Sequence, residues 1–294
     1  MPKQLSQEQV EQYRREGYVS PVRVMPEEAA VAIRRRMEAY EAAQGKPLHG
    51  LQTSKCALLF PWIYDIVSRD SVLDAVEDLI GPDILLYQNG AWFKDPDSDA
   101  YVSWHQDATY YGMDPLDLVT CWIALSPATL ETGCMQVLAG SHKQGQLPIE
   151  YTEVTPDNLL ASGQNTVIDR DAYAVAPMEL RPGEMSMHHV CLVHSSRPNH
   201  GTDRRMGFSI AYMGPHVRQT TELKATAMLM RGKDEHGYYP LDEVPPVSEN
   251  DPATIERHAR AVTLYRNKAK QAGNQTAWRL TGAPPDTAHH VQGS

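Results

Sequence analysis

Trp104-His105-Gln106-Asp107, followed far downstream by His194, is the feature that most constrains the fold. A histidine and a carboxylate two residues apart project to the same side of a β-strand or of its end. With a second histidine they have the composition of the 2-His-1-carboxylate triad, which holds one face of a non-haem Fe(II) and leaves the opposite positions open. The fold must therefore bring residues that are distant in the sequence to one site.

An arginine pair, Arg204-Arg205, follows His194 at a distance of one short strand. A guanidinium group can clamp a carboxylate through two parallel hydrogen bonds. Three metal ligands combined with a carboxylate clamp indicate an oxygenase that uses a keto acid.

Short apolar runs begin near residue 83 and predict a largely β structure. Turn residues separate these runs, as they do at 95–98 and 181–183. Short strands at this spacing favour a sandwich or barrel, of which the jelly roll is one form. The predicted strands lie within 84–87, 91–93, 118–125, 135–138 and 206–213.

Helix signals concentrate at the two ends of the chain. Ser6 to Gln9 reads as a capping box, and the helix that it opens should end at Gly17. Pro26 suits the first position of a second helix, and Asp70 suits the cap of a third. A further helix is predicted within 254–270. Together with the strands predicted from residue 83 onward, these signals predict a mostly β fold with N-terminal helices.

The composition excludes several functional classes. The 294 residues carry a net charge of −10, with 27 basic and 37 acidic side chains, which argues against nucleic-acid binding by a general basic surface. Nothing near Met1 resembles a signal peptide, and no apolar run is long enough to span a bilayer. We therefore predict a cytoplasmic protein whose four cysteines are buried thiols; the oligomeric state stays open.

These motifs together resemble the phytanoyl-CoA dioxygenase family of Fe(II)/2-oxoglutarate oxygenases, and the resemblance extends over roughly residues 5–215. In that family the 2-oxoglutarate arginine lies eleven positions after the distal histidine, and 205 − 194 = 11 selects Arg205 over Arg204. The matching stretches are 104–107 (WHQD), 121–125 (CWIAL), 131–137 (ETGCMQV), 140–142 (GSH), 183–189 (GEMSMHH), 194–199 (HSSRPN) and 204–205 (RR).

The resemblance implies a double-stranded β-helix, which is a cupin-like jelly roll, and implies Fe(II), 2-oxoglutarate and O2 as cofactors. It assigns iron to His105, Asp107 and His194, and 2-oxoglutarate to Arg205. Asp107 stands where halogenating relatives carry a small residue, so hydroxylation of a C–H bond, with release of succinate and CO2, is the expected outcome.

The expected organisation is a single oxygenase domain over 1–294. It comprises a helical part at 1–82, a jelly-roll core at 83–215 and a C-terminal extension at 216–294. The polar stretch 143–180 within the core is poor in strand signals, and we interpret it as a lid-like insertion that faces the substrate.

Further side chains near these motifs are candidates for the rest of the site. Lys94 fits a snorkelling edge residue just as well. Trp104 is most simply a core aromatic, although its place next to a ligand would also let it line the pocket. His188 would share a face with His194 on a regular strand. The candidates for cosubstrate binding are Gln88, Lys94 and Ser196, and those for substrate contact are Trp104, Tyr110, Tyr111, His188 and His189.

Two other functions compete with the oxygenase. A zinc-dependent hydrolase would use the same triad to activate water, but hydrolysis needs no second carboxylate clamp such as Arg205. A non-catalytic jelly-roll protein that binds small molecules is the other, although such a protein has no physical need for three correctly spaced ligands. The predicted substrate is a small molecule, either a secondary metabolite or an amino-acid-like compound.

Overall fold

Six α-helices flank the sheets of the protein in a computed structural model that describes residues 2–151, 155–160, 164–245 and 251–281. The predicted capping box is present, because the Ser6 hydroxyl accepts from the Gln9 amide and the Gln9 side chain accepts from the Ser6 amide. Gly17 ends this helix at φ 81°. The helices are α1 Gln7–Glu16, α2 Glu27–Gln44, α3 Pro61–Val67, α4 Asp70–Ile80, α5 Ala108–Tyr111 and α6 Pro252–Thr281.

Two predicted helix starts shift by one position. Pro26 is the residue before α2 and not its first residue. Asp70 was predicted to cap α4, but it lies inside the first turn, and Arg69 occupies the cap position without a side-chain hydrogen bond. An acidic side chain still stabilises a helix from the first turn, because the amino end of the helix carries partial positive charge.

The strands form two main antiparallel sheets. The major sheet has the order β1-β10-β5-β12-β2-β14, and the minor sheet has the order β3-β11-β6-β9. The bounds of the strands are β1 Tyr18–Arg23, β2 Ile84–Ala91, β3 Val102–His105, β4 Met113–Asp114, β5 Leu118–Ala124, β6 Met135–Leu138, β7 Ile149–Tyr151, β8 Gln164–Thr166, β9 Val175–Met178, β10 Glu184–His189, β11 His194–Ser196, β12 Gly207–Met213, β13 Arg218–Gln219 and β14 Met228–Arg231.

The strand β2 is longer than its apolar run predicts. Its polar residues Gln88 and Asn89 stay in the ladder with β12. The Asn89 side-chain carbonyl accepts a hydrogen bond from the Ala57 amide, which satisfies this buried oxygen. Polar residues in the middle of a strand therefore did not interrupt it.

The main hydrophobic core lies between the N-terminal helices and the major sheet. It joins side chains of α1, α3 and α4, among them Val10, Ile63 and Val76, to Ile123 and Phe208 on the sheet. Burial of these apolar surfaces is the dominant favourable term for such a layer packing. Because the helices cover this face, the opposite face of the major sheet is left to line an interior site with the minor sheet.

The stretch 143–180 contains more regular structure than the sequence predicts. β9, at Val175–Met178, pairs with β6 and completes the minor sheet, so this part belongs to the core and not to an insertion. β7 and β8 form a separate two-stranded ribbon. Residues 152–154 and 161–163 of the predicted lid lie outside the described residues.

The C-terminal helix α6 is longer than the predicted 254–270 and packs against α5. Among the described residues, no helix has the length and apolar character needed to cross a membrane. All four cysteines are free and buried, as predicted. The predicted class, a mostly β jelly roll with N-terminal helices, is confirmed by this architecture.

Candidate active site

Two strands of the minor sheet place the histidines of the motif side by side. His105 ends β3 and His194 begins β11, and the two residues are direct partners in the antiparallel register. Asp107 follows β3 and precedes α5. The ligand atoms of these three residues lie within 4.8 Å of one another, so the sequence motif becomes a compact triad.

The hydrogen bonds of both histidines fix the ring nitrogen that is free to bind a metal. His105 Nδ1 lies 2.9 Å from the Ser103 carbonyl, and His194 Nδ1 lies 2.9 Å from the Leu192 carbonyl. A carbonyl only accepts, so each Nδ1 carries the proton and each Nε2 presents a lone pair. These Nε2 atoms face Asp107 Oδ1, at 3.7 Å from His105 and 3.8 Å from His194.

The two oxygens of Asp107 have different surroundings. While Oδ1 faces the histidines, Oδ2 accepts a hydrogen bond from the Thr120 hydroxyl at 2.7 Å and lies 3.4 Å from His188 Nε2. Such support of a ligand by its neighbours sets the orientation of the coordinating atom. Oδ1 of Asp107 is therefore free to coordinate a metal, while Thr120 and His188 hold Oδ2 in place.

The protonation states of the triad suit a metal. Burial opposes charge on Asp107, but the neighbouring His105, His188 and His194 side chains hold the pKa of this carboxyl well below its usual range. Burial, with the neighbouring His105 and His188, lowers the pKa of His194 far below its ordinary value. The site thus combines an anionic carboxylate with a neutral imidazole, the forms in which these groups bind metals.

Arg205 is a buried cation that faces the same cavity. Its side chain is 3% exposed, donates to the Gly133 carbonyl at 2.9 Å and lies over the Trp122 ring at 5.1 Å. Burial lowers the pKa of the guanidinium to about 10, so it stays charged at neutral pH. Within the described residues no carboxylate pairs with it, and its Nε has no hydrogen-bond partner.

The neighbouring Arg204 points elsewhere. Its guanidinium pairs with Glu41 and Asp95 and lies over the Phe93 ring.

Arg205, in contrast, has no counter-ion among the described residues. A guanidinium that is buried without a counter-ion destabilises the protein unless a bound anion pairs with it. The donor set of the triad and the open charge of Arg205 therefore fit Fe(II) and a dicarboxylate such as 2-oxoglutarate.

The triad and Arg205 line one cavity of about 350 Å³. Five of the other predicted candidates also lie on its wall: Gln88, Ser196, Tyr110, Tyr111 and His188.

Three predicted candidates do not lie on this wall. Lys94 is buried and donates to the Ser196 hydroxyl and the Arg197 carbonyl, so it supports Ser196 from the protein side. His189 faces away, beside Tyr13 and His142, because successive residues of a strand point to opposite sides. Trp104 is half-buried next to the ligand but does not contribute to the cavity.

Several wall residues escaped prediction. Thr120 lies in the apolar run of β5, where a single buried polar residue was the available signal. Leu159 and Leu160 come from the predicted lid, and Tyr265 and Ala269 come from α6. No motif marks these four residues, because only the tertiary packing brings them to the cavity.

Comparisons with known proteins agree with this geometry. A family model described as Phytanoyl-CoA dioxygenase (PhyH) matches residues 13–207. A probable alpha-ketoglutarate-dependent hypophosphite dioxygenase of Stutzerimonas stutzeri is 31% identical over 155 residues, which are 53% of this chain and 54% of that protein. The peroxisomal phytanoyl-CoA dioxygenase of Homo sapiens is 30% identical over 142 residues, 47% of this chain and 40% of that protein. The chain thus spans about half the length of the curated relatives that it matches.

Solved structures extend the likeness over most of the chain. The apo form of the non-heme monooxygenase ThoJ has a TM-score of 0.79 and 30% sequence identity, covering 90% of this chain and 98% of its own. CytC3 with Fe(II) and alpha-ketoglutarate has a TM-score of 0.61 at 23% identity, covering 82% and 94%, and shows the shared fold. The chain belongs to the phytanoyl-CoA dioxygenase (PhyH) family, the non-haem oxygenases that use Fe(II), 2-oxoglutarate and O2.

Proposed function

We propose that the protein is an Fe(II)/2-oxoglutarate-dependent dioxygenase that hydroxylates a C–H bond of a small molecule and releases succinate and CO2. One observation carries the proposal. A His-Asp-His triad whose ligand atoms lie within 4.8 Å of one another shares a single cavity with the buried Arg205. A metal site and an open anion site in one cavity are the two parts that a keto-acid cosubstrate requires.

The chain supplies position and electrostatics to this reaction. His105 Nε2, His194 Nε2 and Asp107 Oδ1 would hold the metal, and Arg205 would pair with the distal carboxylate of 2-oxoglutarate. Bound Fe(II) supplies the oxidative chemistry with O2. The protein contributes oriented ligands and a largely apolar wall that keeps water from the reacting groups.

The same features argue against the competing functions. A zinc hydrolase has no use for a second carboxylate site, which Arg205 provides here. A binding protein without catalysis does not need both histidines in the metal-binding tautomer. Of the two substrate classes that the sequence suggested, the apolar cavity wall favours a secondary metabolite over an amino-acid-like compound.

The first experiment is anaerobic titration of Fe(II) and 2-oxoglutarate, read by the visible charge-transfer band of the ternary complex. We expect a band in the wild type that is lost in His105→Ala. Aerobic conversion of 2-oxoglutarate to succinate should follow the same pattern. A folded, iron-loaded wild type that gives neither a band nor succinate would refute the oxygenase function.

A further inference from the structure

The C-terminal helix α6 forms part of the wall of the catalytic cavity. Tyr265 and Ala269, one helical turn apart, both line the cavity that contains the triad. Tyr265 also packs edge-on against the Tyr87 ring, with ring centres 5.7 Å apart. A segment far from the metal motif in the sequence is therefore placed to contact a substrate.

Lys268 fixes the position of this wall. Its side chain is completely buried, although it carries an amine. The Nζ atom donates to the Tyr87 hydroxyl at 3.0 Å and to the Tyr111 carbonyl, and it lies over the Tyr87 ring. These bonds join α6 to β2 and α5, so Tyr265 is held against the cavity by a specific anchor.

The charged side chains on the described wall of the cavity already have proposed roles. Apart from the histidines, Asp107 and Arg205 are the only acidic or basic side chains among the described lining residues, one at the proposed metal site and the other at the proposed cosubstrate site. A charged substrate group would enter a desolvated site without a partner, at a large cost. The remaining wall is mainly apolar and aromatic, with Val102, Met135 and Leu160 as examples.

Neutral polar groups are nevertheless present. Tyr110 lies beside the triad, with its ring centre 6.4 Å from that of His105, and Tyr111 and Tyr265 line the same cavity. Burial raises the pKa of Tyr111 and Tyr265, so both phenols stay neutral. Gln88 Oε1 is buried on this wall without a hydrogen-bond partner within the described part of the chain. Such groups orient a ligand by hydrogen bonds without demanding charge.

From this wall we infer that the substrate is an uncharged, largely apolar small molecule with hydrogen-bonding oxygen or nitrogen atoms, and that Tyr265 and Ala269 on α6 select it. The inference rests on the proposed function, since it assigns Arg205 to 2-oxoglutarate. It excludes substrates that place a carboxylate, an ammonium or a phosphate group inside the cavity.

The test uses the full chain loaded with Zn(II) and 2-oxoglutarate. Zn(II) is diamagnetic, and the Zn(II) complex does not oxidise the substrate. Ligand-observed NMR would screen matched pairs of arene and alicyclic fragments, each as a methyl ester or primary amide and as the free carboxylate or amine. We expect most binders among the neutral members. Their binding should be weakened in Tyr265→Trp, which puts a bulkier ring on the cavity wall and removes the phenol hydroxyl, and kept in Tyr238→Trp, whose residue is 44% exposed and lies outside the cavity wall.

A second variant adds the missing charge. Ala269→Lys should shift the preference within matched pairs toward the carboxylate by about tenfold, the effect of one partly buried ion pair. The inference is overturned if the neutral half of the library gives no more Tyr265-dependent binders than the charged half. Failure of the wild type to bind 2-oxoglutarate would count instead against the proposed function, because that binding is measured before any fragment is added.

Discussion

Replacement of Arg205 by methionine tests the cosubstrate site most directly. The guanidinium is buried at 3% exposure, and the carbonyls of Gly133 and Trp92 hold it at 2.9 and 3.5 Å. It is thus in position before any ligand arrives, and binding of 2-oxoglutarate pays little for ordering it. Methionine keeps much of the volume of the side chain and removes the charge.

The magnitude follows from two opposing effects. Truncating one partner of a buried, hydrogen-bonded charge pair costs about 2–5 kcal/mol. The lowered pKa of Arg205 reports that the free protein already bears a desolvation cost, which the variant no longer has. We therefore expect the lower part of that range, about 2–3 kcal/mol, or a rise of about 30- to 150-fold in the Kd of 2-oxoglutarate.

The assay is anaerobic titration of 2-oxoglutarate into the Fe(II)-loaded protein, read by the charge-transfer band. Arg204→Met is the matched control, since Arg204 pairs with Glu41 and Asp95 outside the cavity. It should leave the Kd within about threefold of the wild type, because it removes no cavity contact. Arg205→Met should also unfold no earlier than the wild type without ligand, because an uncompensated buried charge has been removed. Equal Kd values for the wild type and Arg205→Met would refute the assignment.

Three further perturbations test other parts of the structure. Thr120→Val removes the 2.7 Å hydrogen bond to Asp107 and should weaken metal binding by about tenfold or more, measured by competition with a chelator; unchanged affinity would contradict the orienting role. Gly133→Ala should destabilise the fold by about 2–3 kcal/mol in urea unfolding and weaken 2-oxoglutarate binding, because φ is +72° and the new Cβ would lie 2.3 Å from the Arg197 carbonyl. Burial, with nearby lysines, lowers the pKa of Lys268 to about 7, so between pH 7 and about 10 the unfolded chain binds a proton that the folded chain does not. The stability of the wild type relative to Lys268→Met should therefore rise across this interval in urea unfolding and fall as the pH drops to 7; a pH-independent difference would refute the shift.

The triad could be predicted because each ligand lies in a short contiguous motif at the end of a strand. His105 and Asp107 are two residues apart, and the periodicity of a strand predicted them on one side. In the structure Asp107 lies just beyond β3, with helical dihedral angles before α5, and it still faces His105. His194 and Arg205 followed from the family resemblance and its fixed spacing. The fold class could be predicted for a related reason, because each predicted strand corresponds to a short apolar run that turn residues separate from the next run.

Residues on neighbouring strand positions were harder to assign. The sequence could not decide between His188 and His189, because the register that β10 adopts beside β5 determines which of them faces the cavity. Lys94 was misplaced for a similar reason. It is next to Arg205 in a local β-bridge, but its amine reaches Ser196 and the Arg197 carbonyl behind the wall. Strand phase is a tertiary property, and one residue of shift exchanges the two faces.

The cavity residues proposed to face the substrate could not be predicted from the sequence, for a different physical reason. A metal and a dicarboxylate cosubstrate demand particular chemical groups, so the residues proposed for them are histidines, a carboxylate and an arginine, which can be recognised in the sequence. An uncharged apolar substrate demands only shape and a few neutral hydrogen bonds, and leucine, tyrosine and alanine provide these without any motif. Tyr265 and Ala269 lie on the cavity wall, and Lys268 anchors their helix α6 beside Tyr87 and Tyr111. The anchor, a fully buried lysine on a helix that otherwise has the pattern of a basic amphipathic segment, is thus the element that links the C-terminal sequence to the proposed choice of substrate.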